Sequence, residues 1–389
     1  MNSGRNQSIV ILATPVLLRG GTENQLLSVL KALKNCGFRV HVLCYFEFHA
    51  EMADHFRAEG AEVTLLRYQR EGKSPIVVLL RLLWNLFRWF RKNKPDIVHV
   101  QYLAPGFIPV LAAKMAGIRN IMATVHQPCP PGLKAKCLLQ LASMMTNRFI
   151  CVSQAVERSW FGRSNLFTPG DALPRRSHFT IYNAIDLEEI RQIVSSEDPV
   201  KTGGQSAPEH GLVIGAVSRL RHEKGMDILL KSFALLLPRF PGIRLKIVGD
   251  GPDRETLHNL AGELFISGVI TWTGEIPRKE AIRQMQSMDM VVIPSRFEGF
   301  GLVAAESMAC GKSVIASNTG GLPEIIDDRE TGWLAPPEDP VALAEALTEL
   351  IDNPALREKL GAAGRRRVGE KFSFTTFARQ IEALYAAKQ

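Results

Sequence analysis

The sequence predicts an α/β protein of two domains, each with a doubly wound parallel sheet. Three observations support this prediction. The chain has 389 residues, which is more than a single hydrophobic core usually serves. Short β-branched runs alternate with longer amphipathic stretches, as in βαβ units. A stretch rich in Gly, Pro and Ser, residues 195–211, separates two such series.

The first series predicts seven strands, and the second predicts five. The first seven are SIVILATPV, RVHVLCYF, EVTLLR, DIVHVQYL, NIMATVH, RFICVS and FTIYNAID, and the next five are GLVIGAVSRL, RLKIVGD, VITWTG, MVVIPS and KSVIAS. Helical periodicity follows at 23–36, 108–116 and 227–237 and from residues 253, 277 and 301. We therefore expect two Rossmann-like domains facing across a cleft, 1–185 and 186–371, followed by an amphipathic C-terminal helix in 372–389.

Composition places the chain among ordinary globular proteins. Hydrophobic residues make up 46% and charged residues 22%, and no apolar run reaches the roughly 18 residues that a membrane span needs. The N-terminal apolar run lacks a small-residue cleavage site, so we expect a first buried strand and no signal peptide. The six cysteines form no C-x-x-C pair, which indicates a reducing compartment and no structural zinc. These features predict a cytoplasmic protein.

Positive charge is concentrated in the N-terminal half. Residues 1–185 hold 23 Lys and Arg against 10 Asp and Glu, although the whole chain carries only +8. This indicates a phosphate-bearing partner, an anionic membrane or nucleic acid, unless it is only a soluble basic surface. The segment 75–94 sets Arg81, Asn85, Arg88 and Lys92 in one stripe among Trp and Phe. It is either a helix flanking the sheet or a peripheral contact with an anionic membrane.

Cations and glycines follow two strands of the second series. Ligands of open α/β sheets bind outside the carboxyl ends of the strands. Arg219 and Lys224 come after GLVIGAVS, where they would either clamp a diphosphate or form an exposed basic loop. Gly249 belongs to GDGP after another strand, where glycine permits a tight turn or close approach of a ligand.

The stretch SRFEGFGLVAAESMACG carries two glutamates around a predicted helix start. The first amides of a helix bind anions, so a phosphate would meet the N–H groups of Phe300, Gly301, Leu302 and Val303. Glu306 would accept hydrogen bonds from a sugar attached to that phosphate, and Glu298 would bind a second sugar. A phosphate with a sugar at each end describes a nucleotide sugar. GFGLVA also fits a dinucleotide fingerprint, but five loop residues precede its first glycine, so an NAD(P) oxidoreductase is disfavoured.

Two features of the first series also follow strands. Gly20 and Gly21 permit backbone approach or simply a turn into a helix. His126 follows the strand NIMATV, where a histidine is structural or meets a ligand.

With these residues assembled, the chain resembles glycosyltransferase family 4, the group 1 transferases of the two-Rossmann GT-B fold. The resemblance spans almost the whole chain. It rests on fragments in family order: GGTE at 20–23, KPDIVHVQ at 94–101, VH at 125–126, CVSQAV at 151–156, YNAID at 182–186, SRLRHEKGMD at 218–227, VGDGP at 248–252, PSRFEGFGLVAAESMACGKSVIAS at 294–317, GGLPEII at 320–326 and TGWL at 331–334.

The resemblance implies a retaining transferase whose C-terminal helix, within 372–389, crosses back to the first domain. It also assigns roles to these residues. Arg219 and Lys224 would bind the diphosphate of a UDP-sugar or GDP-sugar, and Glu306 the ribose. Glu298 and His126 would contact the transferred sugar, and Gly20 and Gly21 would pack against the diphosphate. The chain contains no D-x-D, so we expect no metal and no cofactor. The implied acceptor is a glycan or a lipid-linked sugar.

Three alternatives stay open. A nucleotide-sugar epimerase of the same fold would convert free sugar nucleotide without an acceptor. A nucleic-acid-binding protein would explain the basic half, but the chain has no nucleic-acid motif. A catalytically silent sugar-binding protein is disfavoured by the intact set of charged residues.

Overall fold

The computed structural model describes residues 7–18, 20–67, 75–102, 107–171, 174, 176–195 and 211–387. They form two compact units, which we call the N-terminal unit (Met1–Ala184 with Thr375–Gln389) and the C-terminal unit (Ile185–Phe374). The predicted linker, 195–211, lies almost wholly outside the described residues. Ile185 belongs to the C-terminal unit because its backbone pairs with Phe372 and Phe374, at 2.8 and 3.0 Å.

The N-terminal unit contains a seven-stranded parallel sheet. Its strands are β1 Ile9–Leu17, β2 Arg39–Phe48, β3 Glu62–Leu65, β4 Ile97–Gln101, β5 Asn120–Val125, β6 Arg148–Cys151 and β7 Ser177–Thr180. They lie in the order β3-β2-β1-β4-β5-β6-β7. The order reverses between β1 and β4, so the loops after these two strands diverge and leave a crevice.

Helices connect these strands. They are α1 Gly21–Asn35, α2 Ala50–Ala58, α3 Pro75–Asn93, α4 Phe107–Met115, α5 Leu133–Met145 and α6 Gln154–Phe161, joined by the C-terminal α15 Phe374–Ala386. Because parallel crossovers are right-handed, α1 and α2 cover one face of the sheet and α3 to α6 the other. The buried side of α3 carries Leu82, Leu86 and Phe90, while Trp89 packs edge-on against His41 of β2, with ring centroids 4.9 Å apart.

The C-terminal unit contains a six-stranded parallel sheet in the order β10-β9-β8-β11-β12-β13. Its strands are β8 Val213–Val217, β9 Arg244–Val248, β10 Ile270–Gly274, β11 Met290–Ile293, β12 Ser313–Ser317 and β13 Trp333–Ala335. Its helices are α7 Leu187–Ser195, α8 Met226–Leu236, α9 Arg254–Glu263, α10 Arg278–Gln286, α11 Leu302–Ala309, α12 Leu322–Ile325, α13 Pro340–Asp352 and α14 Pro354–Lys371. Short 3-10 turns occupy His222–Lys224 and Ser267–Val269.

The predicted fold class is confirmed: both sheets are parallel and both are covered by helices on two faces. All twelve predicted strands are present. The thirteenth, β13, escaped prediction because three residues are too few to show an alternating pattern. Within the described residues, none of the helices combines the length and the apolar content needed to cross a bilayer.

Candidate active site

The loops after β8 and β11 meet where the strand order of the C-terminal sheet reverses. The 3-10 turn after β8 carries Lys224, and the loop after β11 carries Glu298. The Lys224 Nζ donates to Glu298 Oε2 at 2.6 Å, although the two residues are 74 positions apart. The side chains are 26% and 17% exposed, so the pair is partly shielded yet open to a ligand. The two predicted residues therefore form one site.

Hydrogen bonds fix the position of Glu298 but leave one of its carboxylate oxygens, Oε1, available. Ser295 Oγ also donates to Oε2, at 3.1 Å, whereas Oε1 meets no protein donor in the described part of the chain. The carbonyl oxygen of Glu298 accepts the N–H of Gly321 at 2.9 Å, and a Cβ on Gly320 would overlap that same oxygen. A hydroxyl group of a ligand could thus be bound at Oε1 without displacing Lys224.

Arg296 joins the two loops that bear this pair. Its guanidinium donates two hydrogen bonds to Asp227, both 2.8 Å, and one to the carbonyl oxygen of His222 at 2.8 Å. Its backbone N–H donates to the carbonyl oxygen of Glu223 at 2.9 Å. Burial alone would raise the pKa of Asp227, but the hydrogen bonds and charge of Arg296 lower it. The turn carrying Lys224 is therefore fixed to the loop carrying Glu298.

Helix α11 begins just beyond Glu298 and presents free amides there. Its N-cap, Gly301, has φ 108°, a backbone conformation that favours glycine, and no side chain caps the helix. Ala305 is the first residue of the helix whose N–H reaches a carbonyl oxygen of the preceding turn, that of Gly301, at 3.1 Å. The N–H groups of Leu302 and Val303 in this first turn are thus positioned to bind an anion. The ring of Phe300 points away into the core, against Phe372.

Glu306 lies in the second turn of α11 and is paired with Arg278, a residue that the sequence analysis missed. Arg278 Nε donates to Glu306 Oε1 at 2.8 Å, and its Nη1 lies 2.9 Å from Glu189 Oε2. Burial alone would lower the pKa of Arg278, but the two carboxylates raise it above its ordinary value. Its position offered a signal: a cation in the first turn of a helix, here α10, opposes the helix dipole and needs an acidic partner.

Two further predicted residues, Gly249 and Arg219, lie on the loops after β9 and β8. Gly249 has φ 128°, and a Cβ there would overlap the carbonyl oxygen of Ser218. The glycine therefore allows the loops after β8 and β9 to pack closely, and its contact with a ligand stays a prediction. Arg219 is exposed on the loop after β8, which also leads to the turn carrying Lys224.

In the N-terminal unit, the predicted residues lie at the carboxyl edge of the sheet. Gly20 is the N-cap of α1, and Gly21 is its first residue. A Cβ on Gly20 would lie 2.6 Å from Glu23 Oε2, so a larger residue there would require the Glu23 carboxylate to shift. His126 follows β5, and its ring centroid lies 5.0 Å from that of Tyr102, which follows β4.

Tyr102 was also missed by the sequence analysis. It has φ 62°, which is uncommon for a residue with a large side chain and marks strain that often accompanies a functional site. Burial raises the pKa of its hydroxyl, helped by the charge of Glu23, while a hydrogen bond with Thr22 opposes that rise. Tyr102 therefore stays protonated beside the first turn of α1. A tyrosine directly after a strand was the signal in the sequence.

His126 is neutral at physiological pH. Its Nε2 lies 3.1 Å from Gln101 Oε1, and burial lowers the pKa of the ring to about 3. A neutral imidazole can offer a ligand a hydrogen bond but not a positive charge. The predicted residues thus fall into two sets: Gly20, Gly21 and His126 lie in the N-terminal unit, and Arg219, Lys224, Gly249, Glu298, Glu306 and the start of α11 lie in the C-terminal unit.

Two family models match successive parts of the chain. Residues 202–367 match the model described as glycosyl transferases group 1, and residues 19–189 match the model described as glycosyltransferase family 4. A D-inositol 3-phosphate glycosyltransferase of Corynebacterium aurimucosum is 36% identical over 46% of this chain and 44% of its own length. An uncharacterized glycosyltransferase of Methanocaldococcus jannaschii is 29% identical over 75% of each chain.

Solved structures share the fold. The Anabaena protein HepE, crystallised with UDP, superposes with a TM-score of 0.78 at 20% identity, covering 98% of this chain and 100% of its own. The alignment with the Corynebacterium relative spans less than half of that relative's length.

Proposed function

Because the chain belongs to the group 1 glycosyltransferases of family 4 and has the GT-B fold, we propose that it transfers a sugar from a nucleotide diphosphate sugar to a hydroxyl acceptor. One observation carries this proposal: the Lys224–Glu298 pair beside the free amides of α11, at the switch point of the C-terminal sheet. A cation, amide donors and a carboxylate within one loop cluster suit a phosphate that carries a sugar.

The donor diphosphate binds the first amides of α11 together with Lys224 and Arg219. An ammonium group has three N–H bonds, so Lys224 keeps two for phosphate oxygens while one is donated to Glu298. Glu298 accepts a hydroxyl of the transferred sugar at its open oxygen, Oε1. Glu306 accepts the ribose hydroxyls at Oε2, since its other oxygen is bound to Arg278. The donor is a UDP-sugar or a GDP-sugar.

The transfer retains the anomeric configuration and needs no metal. The bond between the anomeric carbon and the phosphate oxygen breaks, and the acceptor oxygen bonds to that carbon on the same face. The acceptor hydroxyl gives its proton to an oxygen of the departing phosphate. Lys224, Arg219 and the amides of α11 stabilise the negative charge that develops on the nucleotide diphosphate. His126 and the turn at Gly20 and Gly21 contact the donor, and the N-terminal unit binds the acceptor.

An exposed surface of the N-terminal unit is both apolar and basic, which supports the proposal that the acceptor lies at a membrane. Nine of the thirteen large apolar side chains that are exposed in the described part of the chain lie on α3, α4 and α5: Ile76, Val77, Leu80, Trp84, Met115, Leu133, Leu138, Leu141 and Met144. The three helices cover the same face of the sheet, and Arg81, Arg88, Arg91 and Lys92 are exposed beside them. We call this the α3–α5 surface.

Apolar side chains interleaved with cations suit an anionic bilayer. We therefore propose a cytoplasmic enzyme that binds peripherally to the inner face of the cell membrane. Its acceptor is a lipid-linked sugar or a glycan of the cell surface. The six free cysteines fit a reducing compartment.

Thermal unfolding with UDP-, GDP- and ADP-sugars in EDTA tests donor binding. A ligand at about 100 times its Kd stabilises the protein by about 2.7 kcal/mol. We expect one UDP- or GDP-sugar to do so, and Glu306→Gln to weaken the effect.

NMR spectra of the same donor without an acceptor should show no epimer, and with an acceptor extract they should show a retained anomer. Stabilisation by no sugar nucleotide, or epimer formation alone, would overturn the proposal.

A further inference from the structure

A chain of hydrogen bonds in the N-terminal unit connects the C-terminal helix α15 to His126. Tyr385 Oη, on α15, lies 2.6 Å from His99 Nδ1. His99 Nε2 lies 3.2 Å from Gln101 Nε2, and Gln101 Oε1 lies 3.1 Å from His126 Nε2. The first three residues are buried, with exposures of 6%, 0% and 2%, so bulk solvent does not reach these side chains.

The chemistry of the Gln101 amide gives this chain a direction. The amide nitrogen only donates, so His99 Nε2 accepts and the ring proton of His99 lies on Nδ1. The amide oxygen only accepts, so His126 must donate from Nε2–H. Thr124 Oγ1 also lies 2.7 Å from His99 Nε2, so the threonine hydroxyl and the Gln101 amide share the single lone pair of that nitrogen. The proton positions of the two histidines are therefore linked through Gln101.

Both imidazoles are neutral, so the position of the single ring proton decides what each one offers. Burial lowers the pKa of His99 to about 3, with a smaller contribution from His126, and burial does the same for His126. With its proton on Nε2, His126 has an unprotonated Nδ1. This nitrogen meets no donor among the residues that the structure describes, and His126 is itself partly exposed.

We infer that Gln101, held by His99 and Tyr385, is a positioning residue that presents His126 Nδ1 as a hydrogen-bond acceptor for a hydroxyl of the sugar substrate. This inference rests on the proposed function. It gives α15 a part in catalysis, because its Tyr385 ends the chain of hydrogen bonds. The side chains of Gln101 and His126 border a cavity of about 20 Å3, which leaves room for a Gln101→Met side chain.

The ring nitrogen signals of histidine in NMR spectra of the ¹⁵N-labelled full-length protein test the proton positions without any substrate. We expect the His126 proton on Nε2, with His126→Ala used to assign its signals. Tyr385→Phe should move them, because His99 loses its acceptor. Gln380→Met is the matched control: it removes the hydrogen bond of α15 to the Phe167 carbonyl oxygen, 2.8 Å, and should leave the His126 signals unchanged.

Kinetics then test the positioning role. Gln101→Met should lower kcat by about tenfold, the worth of one hydrogen bond at a buried site, with little change in KM for the nucleotide sugar. A His126 proton on Nδ1, equal effects of Tyr385→Phe and Gln380→Met, or an unchanged kcat in Gln101→Met would each overturn the inference. Absence of sugar transfer by the unaltered protein would instead overturn the proposed function, and the NMR result would be unaffected.

Discussion

At the residue scale, the central feature is a lysine and a glutamate that meet at the edge of a parallel sheet. Each offers a ligand what its partner leaves unused: Lys224 has spare N–H donors, and Glu298 has an open oxygen. Their mutual attraction keeps both charges in place before a ligand arrives. The site is therefore organised in advance, which lowers the free-energy cost of binding.

Lys224→Met should lower kcat strongly while the protein stays folded. Loss of one preorganised donor to a developing negative charge typically costs about 100-fold to 1000-fold in kcat. Lys231→Met is the control, because Lys231 is a half-exposed lysine that pairs loosely with Asp227 at 3.9 Å. Steady-state kinetics and circular dichroism of both variants check this prediction. Equal activities of the two variants would contradict the proposed binding of the donor phosphate by Lys224.

The position of a residue after a strand predicted that it lies near the site, but it did not predict which other residue it contacts. Lys224 and Glu298 were both predicted because each follows a strand, yet their contact depends on strand order, which local patterns do not reveal. Arg278 was missed because a cation in the first turn of a helix indicates an acidic partner but does not show which residue that partner is. Tyr102 follows a strand, which was a signal, but its backbone strain has no signature in the sequence. Gly249 was predicted as a tight turn or a ligand contact. The structure shows the close approach of the Ser218 carbonyl oxygen, and the ligand contact stays a prediction.

At the element scale, Arg296 fixes the turn after β8 to the loop after β11. Arg296→Met should lower the unfolding free energy of the C-terminal unit by about 2 kcal/mol at pH 7, because Asp227 loses two charge-assisted hydrogen bonds. The pKa of Asp227 is lowered from 3.8. Its stabilising effect is therefore complete above pH 3.8 and is lost as the pH falls through the lower value of the folded state.

The difference between Arg296→Met and the unaltered protein should thus shrink as the pH falls below 3.8. The control is Arg239→Met, since Arg239 pairs with Asp352 on the surface, with 63% and 46% exposure, and such pairs contribute about 0.5 kcal/mol. Denaturant unfolding at several pH values measures both variants. A loss in Arg296→Met no larger than in the control would contradict the proposed role of Arg296.

The strands β4 and β5 hold a second element-scale feature, the buried neutral ring of His99. Its pKa is lowered from 6.5 to about 3, so the unfolded chain binds a proton there more readily than the folded one. The contribution of the neutral His99 ring to the free energy of unfolding should be complete above pH 6.5 and should fall as the pH drops toward 3. At pH 5.5 the loss should be about 1 kcal/mol. His99→Gln should flatten this slope, and denaturant unfolding between pH 5 and 7 measures it; an unchanged slope would exclude His99 as its source.

Strands were easier to predict than the surfaces of helices. A buried parallel strand is a short β-branched run, and twelve of thirteen were found in this way. The segment 75–94 was read either as a helix flanking the sheet or as a membrane contact. The structure shows that α3 has both a buried side, with Leu82 and Leu86, and an exposed side, with Leu80 and Trp84. The contribution of α5 to the same surface was missed, because its neighbours in space lie on other helices.

At the scale of the whole molecule, the α3–α5 surface predicts membrane binding that depends on charge. The protein should co-sediment with vesicles containing phosphatidylglycerol and not with pure phosphatidylcholine vesicles. Trp84→Glu should weaken this binding about tenfold, because it places a carboxylate in the contact. Leu235→Glu is the control on the C-terminal unit, where Leu235 is 54% exposed compared with 55% for Trp84. Equal binding to both kinds of vesicle would contradict the proposed contact of the α3–α5 surface with an anionic membrane.

The most direct test of the donor site is a crystal structure with the UDP- or GDP-sugar that stabilises the protein most. The account predicts that the diphosphate lies against the N–H groups of Leu302 and Val303 with Lys224 Nζ beside it. The sugar should contact Glu298, and the ribose should contact Glu306. A diphosphate bound elsewhere in the protein, with the start of α11 free of ligand, would contradict the central claim.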